Sequence, residues 1–178
     1  AKNIPVRILN SKRPSDISGT LVTSSRPPGA GPLTAIASKK GVTVVDIAST
    51  RMLMAHGFLR RIFETFERFK TPVDVVTTSE VSVSVTIDDT RRVPEIMAAL
   101  SEVADVTRED HMAILCAVGD GLQNDPAFVG RLLEAMEGVP VRMVSQGGAG
   151  RDNTLVIGEA DLESSLRKVH DRFFGAQA

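Results

Sequence analysis

The start of one predicted helix could bind a carboxylate. Gly57 opens this helix, and Ala55 and His56 before it provide no Ser, Thr, Asp or Asn side chain that could cap the first backbone N–H groups. The aligned peptide dipoles of a helix leave roughly +0.5 charge at its N-terminus. We therefore expect the amides of Gly57, Phe58 and Leu59 to receive a small anionic group, such as the carboxylate of an amino acid.

The strand that follows this helix carries groups that could bind an ammonium. Asp74 interrupts the apolar run PVDVV, and a carboxylate there must face solvent, a partner or a cation, because burial without a partner is costly. The alternative is that Asp74 simply points outward from the strand. Thr78, Ser79 and Glu80 follow at the strand junction, either as a polar turn or as ligand contacts. Glu80 could receive a distal ammonium, which would select lysine over threonine.

Helical and strand-like periodicities alternate around these groups. The helix GFLRRIFETFERFK places Phe58, Ile62, Phe66 and Phe69 on one face. The strand EVSVSVTID alternates strictly between apolar and polar residues. The other predicted strands are IPVRILN, GTLVTS, LTAIAS, VTVVDIA, PVDVVTTS, ADVTRED, HMAILCAVG, VPVRMVS and NTLVIGE, and the other helices are VPEIMAALSEV, PAFVGRLLEAME and ADLESSLRKVHDRFF. The run RPPGAGP reads as a linker.

The two halves of the chain match each other at an offset of about seventy residues, which indicates a duplicated module. Phe58 corresponds to Phe128, and Arg61 corresponds to Arg131. Each module supplies strand, helix, strand, strand, helix and strand. We therefore predict an α+β fold of two ferredoxin-like βαββαβ modules, with both helices of each module on one face of the sheet.

Only the first module carries the full set of candidate binding groups. In the second module, Asp125 stands where it can cap the helix, so its first amides are already satisfied. Arg142 replaces Asp74, and Gly147 replaces Ser79, which removes the acceptors that an ammonium group requires. We therefore expect amino-acid binding in the first module and not in the second.

Composition excludes several classes of partner and cofactor. The 21 Lys and Arg residues against 22 Asp and Glu residues give no basic surface for nucleic acid or an anionic membrane. Cys116 is the single cysteine, so no internal disulfide is expected. No stretch approaches the roughly 20 apolar residues that cross a bilayer, and the start AKNIPVRILN lacks a secretory signal, so we expect a cytoplasmic protein. We also expect no catalytic residue, no metal site and no cofactor in this chain.

Three stretches resemble the aspartate kinase (aspartokinase) family. Residues 48–88, with GFL, the VD pair and TTSEVSVS, resemble the first ACT module of these enzymes, and MVSQGG at 143–148 resembles the matching stretch of the second. Residues 4–22 are similar to the end of the kinase domain. The family's catalytic lobe has no counterpart here. The resemblance thus implies kinase activity, with ATP and Mg²⁺, for a longer parent enzyme, and a regulatory role for this region.

In this family the first ACT module is inserted into the second. The resemblance therefore implies that residues 1–32 are the end of the kinase domain with a linker, that residues 41–110 form the first module, and that residues 33–40 and 111–178 form the second. LTAIAS would then be an early strand of the second module.

The resemblance also assigns roles to residues. It implies that Met52, Val73 and Asp74 contact the effector together with the helix start, although Met52 lies among apolar residues and could equally fill the core. L-lysine is the first expected effector, as a feedback inhibitor of its own biosynthesis, and L-threonine is the second. We expect the ligand to lie in a homodimer formed through the first module. The alternative is an oligomerisation module without an effector.

Overall fold

The structure is a computed structural model that describes residues 4–9, 11–12, 19–22, 31–50, 56–148 and 150–175. The chain divides into two compact units, Ala1–Gly31 and Pro32–Ala178. In the smaller unit, β1 (Val6–Ile8) pairs antiparallel with β2 (Thr20–Val22), at the two places where short strands were predicted.

The described residues of the larger unit form one sheet of six strands, β3 to β8, and four α-helices, α1 to α4. In chain order these are β3 (Leu33–Ala48), α1 (Phe58–Arg68), β4 (Val76–Thr78), β5 (Ser82–Ile87), α2 (Val93–Ser101), β6 (Asp105–Gly119), α3 (Phe128–Ala135), β7 (Val141–Gln146), β8 (Asp152–Gly158) and α4 (Leu162–Phe174). The strand order is β4-β5-β3-β6-β8-β7, with every neighbouring pair antiparallel. None of the described helices is long and apolar enough to span a bilayer.

Two βαββαβ modules share the long strands β3 and β6. The first module combines the end of β3, from Val42, and the start of β6 with α1, β4, β5 and α2; its strand order is β4-β5-β3-β6. The second combines the rest of β6 with α3, β7, β8 and α4, and the start of β3, up to Lys39, completes its sheet beside β6. The predicted tandem of ferredoxin-like modules, the first inserted into the second, is confirmed.

The long strands differ from the sequence prediction, which divided each of them in two. LTAIAS and VTVVDIA form one continuous β3, and ADVTRED and HMAILCAVG form one continuous β6. Gly41 adopts φ 70° at a bulge between Lys39 and Val42, so the glycine that resembles a strand end instead lets the strand continue with a bend. The module boundaries at residues 41 and 110 stay a prediction, because both strands run through them.

The strand PVDVVTTS is also shorter than predicted, since β4 covers only Val76–Thr78. Asp74 and Val75 nevertheless continue the pairing: the Asp74 amide donates to the Thr86 carbonyl at 2.9 Å, and the Thr86 amide donates to the Val75 carbonyl at 2.9 Å.

Three apolar cores hold the larger unit together. The first module packs α1 and α2 on one face of its sheet, around Ile47, Phe66 and Val85, and the second packs α3 and α4 around Leu115, Phe128 and Ile157. A third core lies on the opposite face and draws on both modules. It consists of Val42, Val44, Met112, Ile114, Met143 and Val156, with Val75 against it. The edge strands β4 and β7 approach each other, so the sheet is strongly curved.

Candidate functional site

Helix α1 begins as the sequence predicts, without a capping side chain. Gly57 precedes the helix with φ 81° and ψ 10°, a left-handed conformation that favours glycine, and no side chain among the described residues caps the helix. Phe58 is buried in the first core, whereas Leu59 is 41% exposed. The first turn also contains no acidic residue, so its partial positive charge has no neutralising side chain within the helix.

Asp74 carries an ion pair that was not predicted. The Lys39 ammonium donates to Asp74 Oδ2 at 2.7 Å and lies 2.7 Å from Asp88 Oδ2, so it bridges two carboxylates. These hydrogen bonds, the one to Asp74 first, raise the pKa of Lys39, and the Lys39 hydrogen bond lowers the pKa of Asp88. The Asp74 side chain is about one-third exposed. Asp74 therefore faces both solvent and a cation, as its chemistry requires.

Asp74 and the start of α1 lie at opposite ends of the first module. Strands β3 and β4 are parallel to each other because each pairs antiparallel with β5. The helix that connects them returns antiparallel to both, so Gly57 lies near the end of β3 and Asp74 near the start of β4. The 11 residues of α1 span about 16 Å at a rise of 1.5 Å per residue. Within one copy of the chain, the amides at the start of α1 and the Asp74 carboxylate therefore do not face each other.

The predicted polar junction forms the turn between β4 and β5. The Ser79 amide donates to the Ser82 carbonyl at 2.8 Å, and the Ser79 hydroxyl accepts from the Ser82 amide at 3.1 Å. Thr78 and Glu80 are exposed. Ser82 pairs with Ala48, so this turn lies at the same end of the sheet as the start of α1. The structure thus uses the Ser79 hydroxyl in the turn and leaves Thr78 and Glu80 at the helix-start end.

Two further predicted contacts have different outcomes. Val73 is partly buried and packs against the first core. Met52 lies outside the described residues, within the gap at 51–55.

A cavity of about 380 Å³ opens between the end of β3 and the end of α2, and Val81 lies in its wall. None of the predicted site residues that the structure describes lines this cavity.

The second module differs from the first at the positions that match the helix start and Asp74. The Asp125 carboxylate accepts the Ala127 amide at 3.1 Å and pairs with Arg131, whose hydrogen bond is the main cause of the lowered pKa of Asp125. Because α3 begins only at Phe128 and has no side-chain cap, Asp125 holds the turn before the helix and is not the predicted cap. Arg142, which stands in place of Asp74, pairs with Asp46 and with Glu109, at 3.0 Å from the latter. The second module therefore lacks an acidic side chain at the position of Asp74, whereas its helices α3 and α4, like α1, begin without a side-chain cap.

Sequence reasoning missed Lys39 and Asp88 as neighbours of Asp74. The contacts join residues 35 positions apart for Lys39 and Asp74, across strands whose register the sequence does not reveal. The available signal was local: Lys39 directly precedes Lys40 and Gly41, the site of the bulge. Lysines beside strand bulges are common, so this local signal does not identify the carboxylates that pair with Lys39.

Comparisons with known proteins agree with this architecture. A family model described as an ACT domain matches residues 115–173. Aspartokinase 3, chloroplastic, from Arabidopsis thaliana is 34% identical over 183 residues, covering 97% of this chain and 32% of the relative. Aspartokinase 2, chloroplastic, from the same plant is 36% identical over 185 residues, covering 97% of this chain and 34% of the relative. The chain thus spans about one-third of the length of these relatives.

Solved structures show the same similarity. A protein described as a C-terminal regulatory domain of aspartate kinase from Porphyromonas gingivalis W83 is 38% identical, with a TM-score of 0.72, covering 81% of this chain and 99% of that one. Aspartokinase III of E. coli, in complex with lysine and aspartate, is 28% identical, with a TM-score of 0.78, covering 97% of this chain and 39% of that one.

Proposed function

Because the chain belongs to the aspartate kinase family and corresponds to its ACT-domain regulatory region, we propose that it binds an amino-acid effector for feedback control of a longer kinase. L-lysine is the proposed effector and L-threonine the second candidate. The lysine complex of the E. coli enzyme supports lysine, because that structure aligns with 97% of this chain. Glu80, exposed near the start of α1, offers an acceptor for the distal ammonium of lysine.

The observation that carries this proposal is the positively polarised start of α1, which has no capping side chain, beside the edge strand β4. Val76 in β4 is 36% exposed. Leu59 and Phe63 on α1 are 41% and 38% exposed. An edge strand flanked by exposed apolar side chains is a surface that proteins usually cover. A second copy of this chain is the proposed cover.

Antiparallel pairing of the β4 strands of two copies would bring Gly57 of one copy close to Asp74 of the other. A two-fold axis between the strands reverses one copy relative to the other, so the Asp74 end of each copy meets the helix-start end of the other. The effector carboxylate would bind the amides of Gly57, Phe58 and Leu59 of one copy. Its α-ammonium would bind Asp74 of the second copy. The ligand would then require both copies, which gives effector binding a direct influence on their association.

The parent enzyme is part of the same proposal. The longer protein would phosphorylate L-aspartate with ATP and Mg²⁺ in a catalytic domain, and residues 1–32 would be the end of that domain. Effector binding would change the relative orientation of the paired regulatory modules, and such coupling between sites typically amounts to about 1 to 3 kcal/mol. The cytoplasm remains the predicted compartment, whereas the Arabidopsis relatives are designated chloroplastic.

Isothermal titration calorimetry with L-lysine and L-threonine tests the site. We expect Asp74→Asn to weaken lysine binding about tenfold or more, because a hydrogen bond to a charged group contributes about 1.5 to 3 kcal/mol. Asp89→Asn is the matched control, since Asp89 is an acidic residue of the same module that pairs with Arg91. Equal lysine affinity of the Asp74→Asn variant and the unmodified chain would remove Asp74 from the site.

Two observations favour a second candidate, an oligomerisation module without an effector. Asp74 already has a cationic partner in Lys39, and the Ser79 hydroxyl is engaged within its own turn. In that case the chain would form a dimer whose melting temperature is independent of every amino acid tested. A bound effector would instead raise the melting temperature as its concentration increases.

A further inference from the structure

The arrangement around Asp74 points to an exchange of ion-pair partners between two carboxylates, which we call the relay. We propose that Lys39 and Asp88 belong to the effector site: Lys39 competes with the effector ammonium for Asp74, and Asp88 receives Lys39 when the effector binds. This inference rests on the proposed function, because it concerns the same acceptor, Asp74. It adds two residues that set the affinity for the effector ammonium, one of them on a strand that the two modules share.

The geometry allows this exchange without moving the backbone. Lys39 Nζ lies 2.7 Å from Asp74 Oδ2 and 2.7 Å from Asp88 Oδ2. An ammonium has three N–H donors, so it makes both bonds at once and can release one while it keeps the other. The side chains of Lys39, Asp74 and Asp88 are 40%, 32% and 44% exposed. The Asp74 oxygens are therefore open to an incoming ligand from solvent.

The charge of the cluster favours a second cation. Two carboxylates and one ammonium carry a net charge of −1, and the hydrogen bonds between them raise the pKa of Lys39 and lower that of Asp88, which keeps these two groups charged at neutral pH. An effector ammonium that binds Asp74 neutralises the remaining charge. Lys39 then pairs with Asp88 alone. Without Asp88, Lys39 would neutralise Asp74 completely, and an incoming ammonium would have to displace it.

The position of Lys39 links this exchange to the second module. Lys39 pairs with Ile114 in the part of β3 that completes the second sheet, and the bulge at Gly41 follows directly. Asp74 and Asp88 lie before β4 and after β5 in the first module. The bridge therefore joins the two modules through one side chain. Its rearrangement on effector binding changes a contact between the modules.

Calorimetric titration of the full chain with L-lysine tests the relay. We expect Lys39→Met to bind lysine about two- to fivefold more tightly, the range that the loss of an exposed ion pair produces. Lys40→Met is the matched control, because Lys40 is the next residue, 52% exposed, and pairs with Glu163 in the second module. Its lysine affinity should equal that of the unmodified chain.

A double-mutant cycle tests whether Asp88 acts on effector binding through Lys39. Asp88→Asn should weaken lysine binding about two- to fivefold in the unmodified chain and should have no effect when combined with Lys39→Met, because Asp88 acts through Lys39. Lys39→Gln repeats the measurement with a polar side chain if the methionine variant has a lower melting temperature. Weakening by Asp88→Asn that persists in the Lys39 variants would overturn the relay, as would Lys39 variants that bind no more tightly than the unmodified chain.

These outcomes distinguish the relay from the proposed function. A chain that binds neither L-lysine nor L-threonine contradicts both. A chain that binds lysine, loses binding on Asp74→Asn and is insensitive to Lys39→Met retains the effector site and loses the relay alone.

Discussion

The matching residues Asp74 and Arg142 have opposite charges and different partners. Asp74 of the first module is bridged to Lys39, whereas Arg142 of the second pairs with Asp46 and Glu109 on β3 and β6. Arg142 thereby ties β7 to the strands that the first module uses. An acidic residue at this position of the first module is replaced in the second by a basic residue that pairs with the strands shared by both modules. Under the proposed function, this difference makes Asp74 an acceptor for the effector ammonium and excludes Arg142 from that role.

Gly57 provides a test at the scale of one residue. Its φ of 81° is unfavourable for a residue with a Cβ atom, yet a Cβ built there meets no atom within 4 Å. We expect Gly57→Ala to lower the free energy of unfolding by about 1 to 2 kcal/mol through backbone strain alone. Gly130→Ala in α3 is the control, because its Cβ also meets no atom and its backbone is helical. That substitution should stabilise the chain by about 0.4 to 1 kcal/mol.

Urea unfolding of the two alanine variants supplies the measurement. A Gly57→Ala variant as stable as the unmodified chain would contradict the left-handed conformation at this helix start.

Local contacts of single residues could be predicted from the sequence, and distant ones could not. The hydrogen bond from the Ala127 amide to Asp125 joins residues two positions apart, so a short motif suffices to predict the contact. The absence of a capping side chain before α1 follows from the same reasoning. The Lys39 bridge and the Arg142 pairs depend on strand register, which a single sequence leaves open. Asp74 and Gly57 lie at opposite ends of the module within one copy because α1 runs from the end of β3 to the start of β4, and their assignment to one site stays a prediction.

At the scale of elements, the helices were easier to predict than the long strands. The 3.6-residue period places Phe58, Ile62 and Phe66 of α1 in the first core, as expected. The strands β3 and β6 were each divided in two, because Gly41 and the polar stretch before Met112 resemble strand ends. Both strands continue since each has a full partner along most of its length. Pairing across the sheet, not local composition, decides where these strands end.

Helix α1 contains one buried and one exposed phenylalanine, and comparing them measures how much its buried face contributes to the free energy of unfolding. Phe66 is 2% exposed within the first core, whereas Phe63 is 38% exposed. We expect Phe66→Ala to lower the free energy of unfolding by about 3 to 5 kcal/mol, because it removes a large apolar side chain and leaves a cavity. At protein concentrations where the chain is monomeric, Phe63→Ala should change it by no more than about 0.5 kcal/mol.

Chemical denaturation of the two phenylalanine variants checks this difference. Comparable losses in both would show that the exposed face of α1 is covered in solution, which the proposed pairing of two copies also predicts at high protein concentration. Dilution separates these cases, since the cost of Phe63→Ala should fall as the copies dissociate.

At the scale of the whole molecule, the two edge strands of the sheet, β4 and β7, are similarly exposed at matching valines but have different neighbours. Val76 on β4 is 36% exposed, and Val144 on β7 is 44% exposed. The two valines occupy matching positions of the duplicated modules. The β4 edge lies in the module that contains Gly57 and Asp74, whereas the β7 edge lies in the module where Arg142 replaces Asp74. The proposed dimer uses the β4 edge.

Analytical ultracentrifugation of two charge variants tests this choice. We expect Val76→Lys to raise the dissociation constant of the dimer at least tenfold, because two like charges would meet across the paired strands. Val144→Lys introduces the same charge at the other edge and should leave the dimer unchanged. The reverse result would assign the interface to the second module. Lysine binding should weaken together with dimerisation in the Val76→Lys variant.

The continuous pairing of β3 with β6 determines how the first module is attached to the rest of the chain. Ala48 lies opposite Asp105 at the end of that pairing, so the segment between them leaves and re-enters this two-stranded ribbon at adjacent points. Residues 49–104 are therefore an insertion at the tip of one long hairpin. Exchanging this segment would break the hydrogen bonds between β3 and β5 but would leave those between β3 and β6 intact.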